Sequence, residues 1–485
     1  MSFNIKPVYL LILTIMLLAT LPALAQFGGF FGGGSDDQVA LVDRFDDDDN
    51  GVLNAAERLQ ARNYLAGQPA SSRSGRRWRN RTGNGSPGDQ ISQSEVGNFQ
   101  NFPLYDTSVI RTVFLQFDNG DWEAELEAFH GTDVQVPVTA IVDGETYQDV
   151  GVRFRGNSSY SMVPSGMKRP LRLKFDLLHE EQNLYGYRTL NLLNSNNDPS
   201  FLRTILFSTI ANNYLPTPQL GLFRLVINGE NWGIYPHQQQ FNRDFVEEFF
   251  SAEGGVRWKV PGSPRARGGM EYWGDDIDDY RDTYEIDNRD NQANWAALVN
   301  LFRVLDQTPL NQLEAALNPI LNIDGVLRFL ALDVALANSD GYWTRASDYY
   351  IFLDADERFH VLPHDFNEVM SAEGGRRSGN NLRLDPLVGL NDATKPLRSR
   401  LLAVPALRER YLAYVRDIAE NWMDWDVIGP VATDIHEMIT DDVNRDTRKL
   451  YSSLSFEQSL DGGAGSLQHF FEERRAYLLS EIPAI

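Results

Sequence analysis

Asp46, Asp48, Asn50, Gly51, Asn54 and Glu57 stand at the spacing D-x-[DN]-x-[DN]-G-x5-E. That pattern suits one chemistry, the oxygen cage of a calcium-binding EF-hand loop. Alternate side chains of such a loop turn their oxygens inward, and Gly51 makes the sharp turn. Val52 would offer its backbone carbonyl, and Glu57, on the first turn of the next helix, would supply two oxygens at once. Leu53 occupies the apolar position that normally meets a partner hand. The plainer reading is an acidic turn ahead of a helix. A worn second hand fits "NGSPGDQISQSE" (84–95), with Asn84, Ser86, Ser92 and Glu95 at ligand positions, although Asp89 stands where glycine is wanted.

A second group of acids frames "DYYIFLDADERFHVLPHDFNE", residues 348–368. Tyr349–Leu353 and Phe359–Leu362 are aromatic or β-branched around a turn-like centre, which predicts a β-hairpin. A hairpin folds its ends together, so Asp348 and Asp365 should meet at the open end, beside His364, Asn367 and Glu368. Like charges repel at close range, so a cation between them is expected. His360 and His364 could instead bind zinc, but no third nitrogen or sulfur ligand lies near in sequence.

The elements that must hold these residues read as a mixed α+β chain. Strand-like segments lie at 109–116, 135–141, 149–155, 170–176 and 222–227. Helix-like segments lie at 200–213, 240–251, 293–304, 309–319 and 323–337, and "AVPALRERYLAYVRDIAENWM" (403–423) is the strongest amphipathic stretch. Residues 66–104 are expected to be a flexible connector that contains the possible second hand. A domain is expected over 105–425, with a helical extension over 426–485. On the 170–176 strand Leu171, Leu173 and Phe175 face one way, and Arg172 and Lys174 face the other. That basic face would line a cleft or simply meet solvent. The acidic stretch "GDDIDDYRDTYEIDNRD" (274–290) reads as a solvated loop, with a further calcium site or a docking surface as the alternative.

Composition bounds the rest. The 485 residues are 42% hydrophobic and include nine tryptophans, which fits a folded protein. The net charge of −23 argues against binding nucleic acid or an anionic membrane surface unaided. Residues 1–25 pair Lys6 with an apolar run ending in Ala23-Leu24-Ala25, the form of a cleavable signal peptide, with a retained anchor as the alternative. Residues 26–65 would then be a linker and the EF-hand. No later run is long enough to span a membrane. Export to the periplasm, cell surface or medium follows, and with no cysteine the mature chain uses no disulfides there.

Beyond these readings, "VGVRFRGNSSY", "KRPLRLKFD", "LNLLNSNNDPSFLR", "VINGENWGIY", "NSDGYWTRASDYY" and "LPHDFNE" together resemble the CotH kinase family, over about residues 105–420. The preceding calcium loop is similar to that of a bacterial exported subgroup. The resemblance implies an atypical protein-kinase-like fold and transfer of the ATP γ-phosphate, with Mg²⁺ or Mn²⁺, to Ser/Thr hydroxyls of an unidentified protein. Asp340 matches the catalytic-loop acid, and Asp365 the metal-binding acid after the hairpin. Asp348 stands where the family commonly has Asn, and Asn367 where it commonly has Asp, which exchanges an acid and an amide across one metal site. Lys168 and Lys174 match family lysines and, with Arg203, are the nucleotide-binding candidates. Gln239 stands where the family often has Glu, and would pair more weakly with a phosphate-binding lysine. A different class of function remains open, a non-catalytic calcium-binding surface or matrix scaffold that keeps the kinase-like fold. A hydrolase is disfavoured because G-x-S-x-G and H-E-x-x-H are absent.

Overall fold

The computed structural model describes residues 39–68, 85–250, 254–262, 267–373 and 379–483. The signal-peptide and linker expectations for residues 1–38, Asn84, and most of the 66–84 connector lie outside the described residues.

Seven strands close into a barrel: β1 (Ile110–Gln116), β2 (Val136–Val142), β3 (Glu145–Phe154), β4 (Leu171–Lys174), β5 (Thr189–Leu192), β6 (Leu220–Ile227) and β7 (Glu230–Gln239). Their order is β1-β2-β3-β4-β5-β7-β6, and β6 returns to pair in parallel with β1. Two tight turns set the register. Asp143-Gly144 joins β2 to β3 with φ of 50° and 84°, and Asn228-Gly229 joins β6 to β7 with φ of 50° and 86°. Positive φ at both central residues is the turn geometry that matches strand twist, and it explains these Asp-Gly and Asn-Gly pairs. On β4 the expected alternation holds: Leu171 and Leu173 are buried, while Arg172 and Lys174 are half-buried. Arg111 locks the incoming chain. It pairs with buried Asp143 at 2.9 Å and donates to the carbonyls of Phe99, Phe102, Pro103 and Leu104.

The second layer is a four-stranded sheet, β11-β10-β8-β9, made of β8 (Val256–Val260), β9 (Glu285–Ile286), β10 (Tyr349–Leu353) and β11 (Phe359–Pro363). Every side chain of β10 is buried. Helices Gln292–Gln307, Ile323–Ala335, Pro405–Asn421 and Leu467–Glu481 share one apolar core with it. Ile323–Ala335 is apolar nearly all round and buried accordingly.

Two expectations change. The described part of the connector, 85–104, runs as an ordered strap along the β6–β7 turn: Ile91 N–H donates to Gly229 O at 2.9 Å, and Asn231 N–H to Asp89 O at 2.8 Å. Ile91 packs with Phe114, Ile141 and Val226, and Ser92–Glu95 forms a capped 3-10 turn, so no second helix–loop–helix forms here. Residues 426–485, expected as an extension, complete the core. Asp442 on helix Trp425–Arg445 takes both arms of Arg224 on β6, at 2.8 and 2.6 Å. Arg474, fully buried, donates to Val334 O and Ala335 O at the end of helix Ile323–Ala335.

Lys168 is also fully buried, and its ammonium lies 2.6 Å from Asp446 and over the Tyr235 ring. Burial pulls its pKa down, and Asp446 opposes that. Asp446→Ala should cost about 3–5 kcal/mol, because it leaves a buried charge unpaired. Replacing both partners with Met and Leu should cost far less. Urea unfolding followed by circular dichroism decides between these outcomes.

His237 on β7 is sandwiched between the Tyr105 and Phe223 rings, at 4.9 and 4.0 Å. Burial, then the Arg111 charge, pulls its pKa from 6.5 to about 3. The folded state stays neutral where the unfolded chain takes a proton. Its stabilisation is therefore whole above about pH 6.5 and is lost as pH falls toward 3. His237→Phe should lose less thermal stability between pH 7 and 4 than the wild type does.

Candidate functional site

The hairpin forms as expected, with Tyr349 opposite Pro363 and Leu353 opposite Phe359. Asp348 carbonyl accepts from His364 N–H at 3.2 Å, and Asp348 N–H donates to Val260 O at 2.9 Å. Asp348 and Asp365 therefore leave the open end one residue apart. Both are in the left-handed region, at φ 56° and 48°, as is Ala346 at 50°. Such residues cost about 1–3 kcal/mol each and persist where surrounding structure over-determines them, a pattern common at functional sites. Gly262 lies against Asp348: a Cβ there would come within 2.7 and 2.9 Å of its carboxylate oxygens.

Asp340 comes from the turn after helix Ile323–Ala335. Asp333 holds that turn, accepting Trp343 N–H at 2.8 Å through its carboxylate and Asn338 N–H at 2.9 Å through its carbonyl. A side chain at position 341 would collide with Asp333 and Asn338, which explains Gly341. Burial pushes Asp333 up to about 7. Asp340 is pushed up to about 8 by burial and by Glu368, with Arg345 working against this. Asp348, buried, is driven well above the carboxylate range by burial, then by Asp365 and Asp340, with Lys259 opposing. The Ser347 hydroxyl lies 3.1 Å from Asp340 O and 3.3 Å from Asp348 Oδ2. Three acids thus share one field. Their oxygens stay more open than a closed cage: among the described residues only Asp46, Asp48 and Glu57 bring ligand atoms within 4.8 Å of one another.

The remaining predicted residues divide. Asn367 reaches Asn196 O at 3.5 Å, so it lies beside the acids and faces the 194–200 loop. Lys174 is half-buried on the same face of β4 as Arg172. Lys168 does not present its charge to a nucleotide, because Asp446 holds it in the core. Arg203 turns back on its own loop, donating to Asn197 O at 2.9 Å and lying 3.8 Å from Asp198. Gln239 bonds Glu248 at 2.8 Å and the Gln219 N–H, and no lysine. The zinc alternative fails at His360, whose ring nitrogens meet Asp354 at 2.7 Å and Asn322 at 3.3 Å. In the 274–290 stretch Arg281 pairs with Asp278 and Asp290, the arrangement of a solvated loop.

Sequence reading missed Arg345, Lys259 and Arg155 here, and placed Glu368 beside the acids without a role. Arg345 pairs closely with Asp340, and Glu368 lies 4.0 Å from Arg345. Lys259 on β8 and Arg155 after β3 act on His364, and Arg155 and Arg172 on Tyr350. Arg155 and Arg172 therefore lie toward the acid-bearing hairpin. Lys259 alternates with buried Trp258 and Val260, the one signal that could have singled it out.

The calcium-type loop lies between helices Val42–Phe45 and Ala55–Ala66. Asp46 accepts Gly51 N–H at 2.6 Å and Asn50 N–H at 3.2 Å, and Gly51 turns the chain at φ 82°. Asn50 accepts Val52 N–H at 2.8 Å. Asn54 caps the second helix, and Glu57 reaches back to Asn54 N–H at 2.7 Å and to Asp47 N–H at 3.0 Å. Leu53 is buried in the barrel core, and Arg58 pairs with buried Glu125 at 2.9 Å, so the unit is seated on the barrel. Glu57→Gln keeps the cap and removes the charge. It should weaken calcium binding at least tenfold by calorimetry and abolish any calcium-induced rise in melting temperature.

No curated protein matches the chain. A family model described as CotH kinase protein matches residues 152–478, about two thirds of the length. The match takes in β4, the 194–200 loop, the hairpin and its acids, and the C-terminal helices that complete the core. On that match, the chain belongs to the CotH kinase protein family.

Proposed function

We propose that this chain is an exported, kinase-like phosphotransferase that moves the γ-phosphate of ATP to Ser/Thr hydroxyls of a protein acceptor. The observation that carries the reading is the shared field of Asp340, Asp348 and Asp365 beside a basic wall. A scaffold has no need to hold a buried Asp348 against two other acids, and the desolvation penalty makes that arrangement costly. The donor set fits a hard divalent cation: carboxylates from Asp348 and Asp365 and an amide oxygen from Asn367. Mg²⁺ or Mn²⁺ bound there supplies charge neutralisation of the phosphates.

The chain's own groups do the rest. Asp340 orients the acceptor hydroxyl and takes its proton, a role open to it once positive charge in the site brings its pKa back down. Arg155, Arg172 and Lys259, which act on Tyr350 and His364 of the hairpin, neutralise phosphate oxygens, with Lys174 on the same face of β4 as Arg172. Burial at Asp333 and Gly341 fixes the Asp340 turn, so orientation is set before substrate arrives.

Calcium in the 46–57 loop is proposed as a structural staple of the barrel, since Leu53 and Arg58 carry its effect into the core. Export rests on the form of residues 1–25. The second reading, a calcium-binding scaffold without catalysis, is favoured by Gln239, which makes no lysine pair.

Purified chain from residue 26, with γ-labelled ATP and Mg²⁺ or Mn²⁺, should label itself or an added acceptor. Asp365→Ala should reduce the rate at least 1000-fold with folding kept by circular dichroism. No label, and no melting shift with nucleotide, would leave the scaffold reading.

A further inference from the structure

Glu368 touches three parts of the site at once. Its carbonyl accepts Ser339 N–H at 2.9 Å, next to Asp340. Its carboxylate accepts from Asn197 Nδ2 at 3.2 Å, on the 194–200 loop that follows the barrel strand β5. The same carboxylate lies 4.0 Å from Arg345, whose guanidinium pairs closely with Asp340. Asn197 is fixed in turn: its N–H donates to the Tyr451 hydroxyl at 2.9 Å, and its backbone is left-handed at φ 67°. Arg345, left with Asp340 alone, would form a two-member ion pair that occupies the acid. With Glu368 present the guanidinium is shared between two carboxylates, and Asp340 has a second partner that sets its direction.

Resting on the phosphotransferase reading, we propose that Glu368 is the positioning residue for Asp340, and that it transmits the placement of the Asn197 loop to the catalytic turn. Glu368 touches neither nucleotide nor acceptor in this account. It sets the orientation of Asp340 through the Ser339 turn and through the Arg345 guanidinium that lies between the two carboxylates. Orientation matters because a small misplacement of a reacting group costs orders of magnitude in rate.

The test is a kinetic cycle on the full mature chain. Glu368→Ala should lower kcat about 100-fold and leave KM for ATP within about threefold, since the basic wall is untouched. Glu368→Gln keeps an acceptor for Asn197 and a donor toward Asp340, so it should recover most of that loss. Asn197→Ala should lower kcat about tenfold. The Glu368→Ala, Asn197→Ala double variant should be no slower than Glu368→Ala, because the loop acts through Glu368. Additive losses, or a raised KM with unchanged kcat, would overturn the proposal. An inactive wild-type chain would overturn the phosphotransferase reading itself. Crystal structures then still decide the positioning: a displaced Asp340 carboxylate in Glu368→Ala bears it out, and an unmoved one overturns it.

Discussion

Like charges gathered around one buried carboxylate, Asp348, are the constraint around which the site is arranged. Asp340, Asp348 and Asp365 arrive from two ends of a hairpin and from the turn before it, and Asp365 raises the cost of ionising both Asp340 and Asp348. Folding has to offset that cost, and the surrounding structure shows how. Asp333 anchors one turn, Gly262 and Gly341 give space that no side chain would leave, and the backbone accepts left-handed geometry at Asp348 and Asp365. Arg345 and Lys259 bring partial compensation. The arrangement is unfavourable for the bare chain and favourable for whatever positive charge enters it, which is how a binding site differs from a packed core.

The barrel is the rigid counterpart. Closure through β1 and β6 abolishes free sheet edges, and Arg111 and Asp143 pin the strand that starts it. Arg172 and Lys174 share one face of its strand β4, and the 194–200 loop after β5 meets the acid-bearing segment through Asn196 with Asn367 and Asn197 with Glu368. The seated calcium-type loop adds a further brace where Leu53 enters the barrel core.

Much of this was legible in the residues, because local rules decide it. Asp143-Gly144 and Asn228-Gly229 are turn chemistry, the Asp46–Glu57 spacing is loop chemistry, and Tyr349–Leu353 with Phe359–Leu362 is a hairpin pattern whose ends must meet. What escaped depends on contacts between distant parts of the chain. Lys168 matches a family lysine and so reads as a phosphate-binding cation, but its fate is set by Asp446, 278 residues away. Strand β8 is five residues between glycine-rich stretches, too short for periodicity to announce it, so Lys259 went unseen. Glu368 sat in a quoted motif, but its role needs Asn197 and Arg345 beside it. The strap at 85–96 looked flexible because its partners, Glu230 and Gly229, lie on a later strand.

The ion pairs from helix Trp425–Arg445 bear on the order of events at synthesis. The barrel's Arg224 and Lys168 find Asp442 and Asp446 only after nearly the whole polypeptide exists. Until then the Lys168 ammonium lacks the carboxylate that compensates it in the folded chain. These two charges of the barrel are thus compensated only when the last helices are in place.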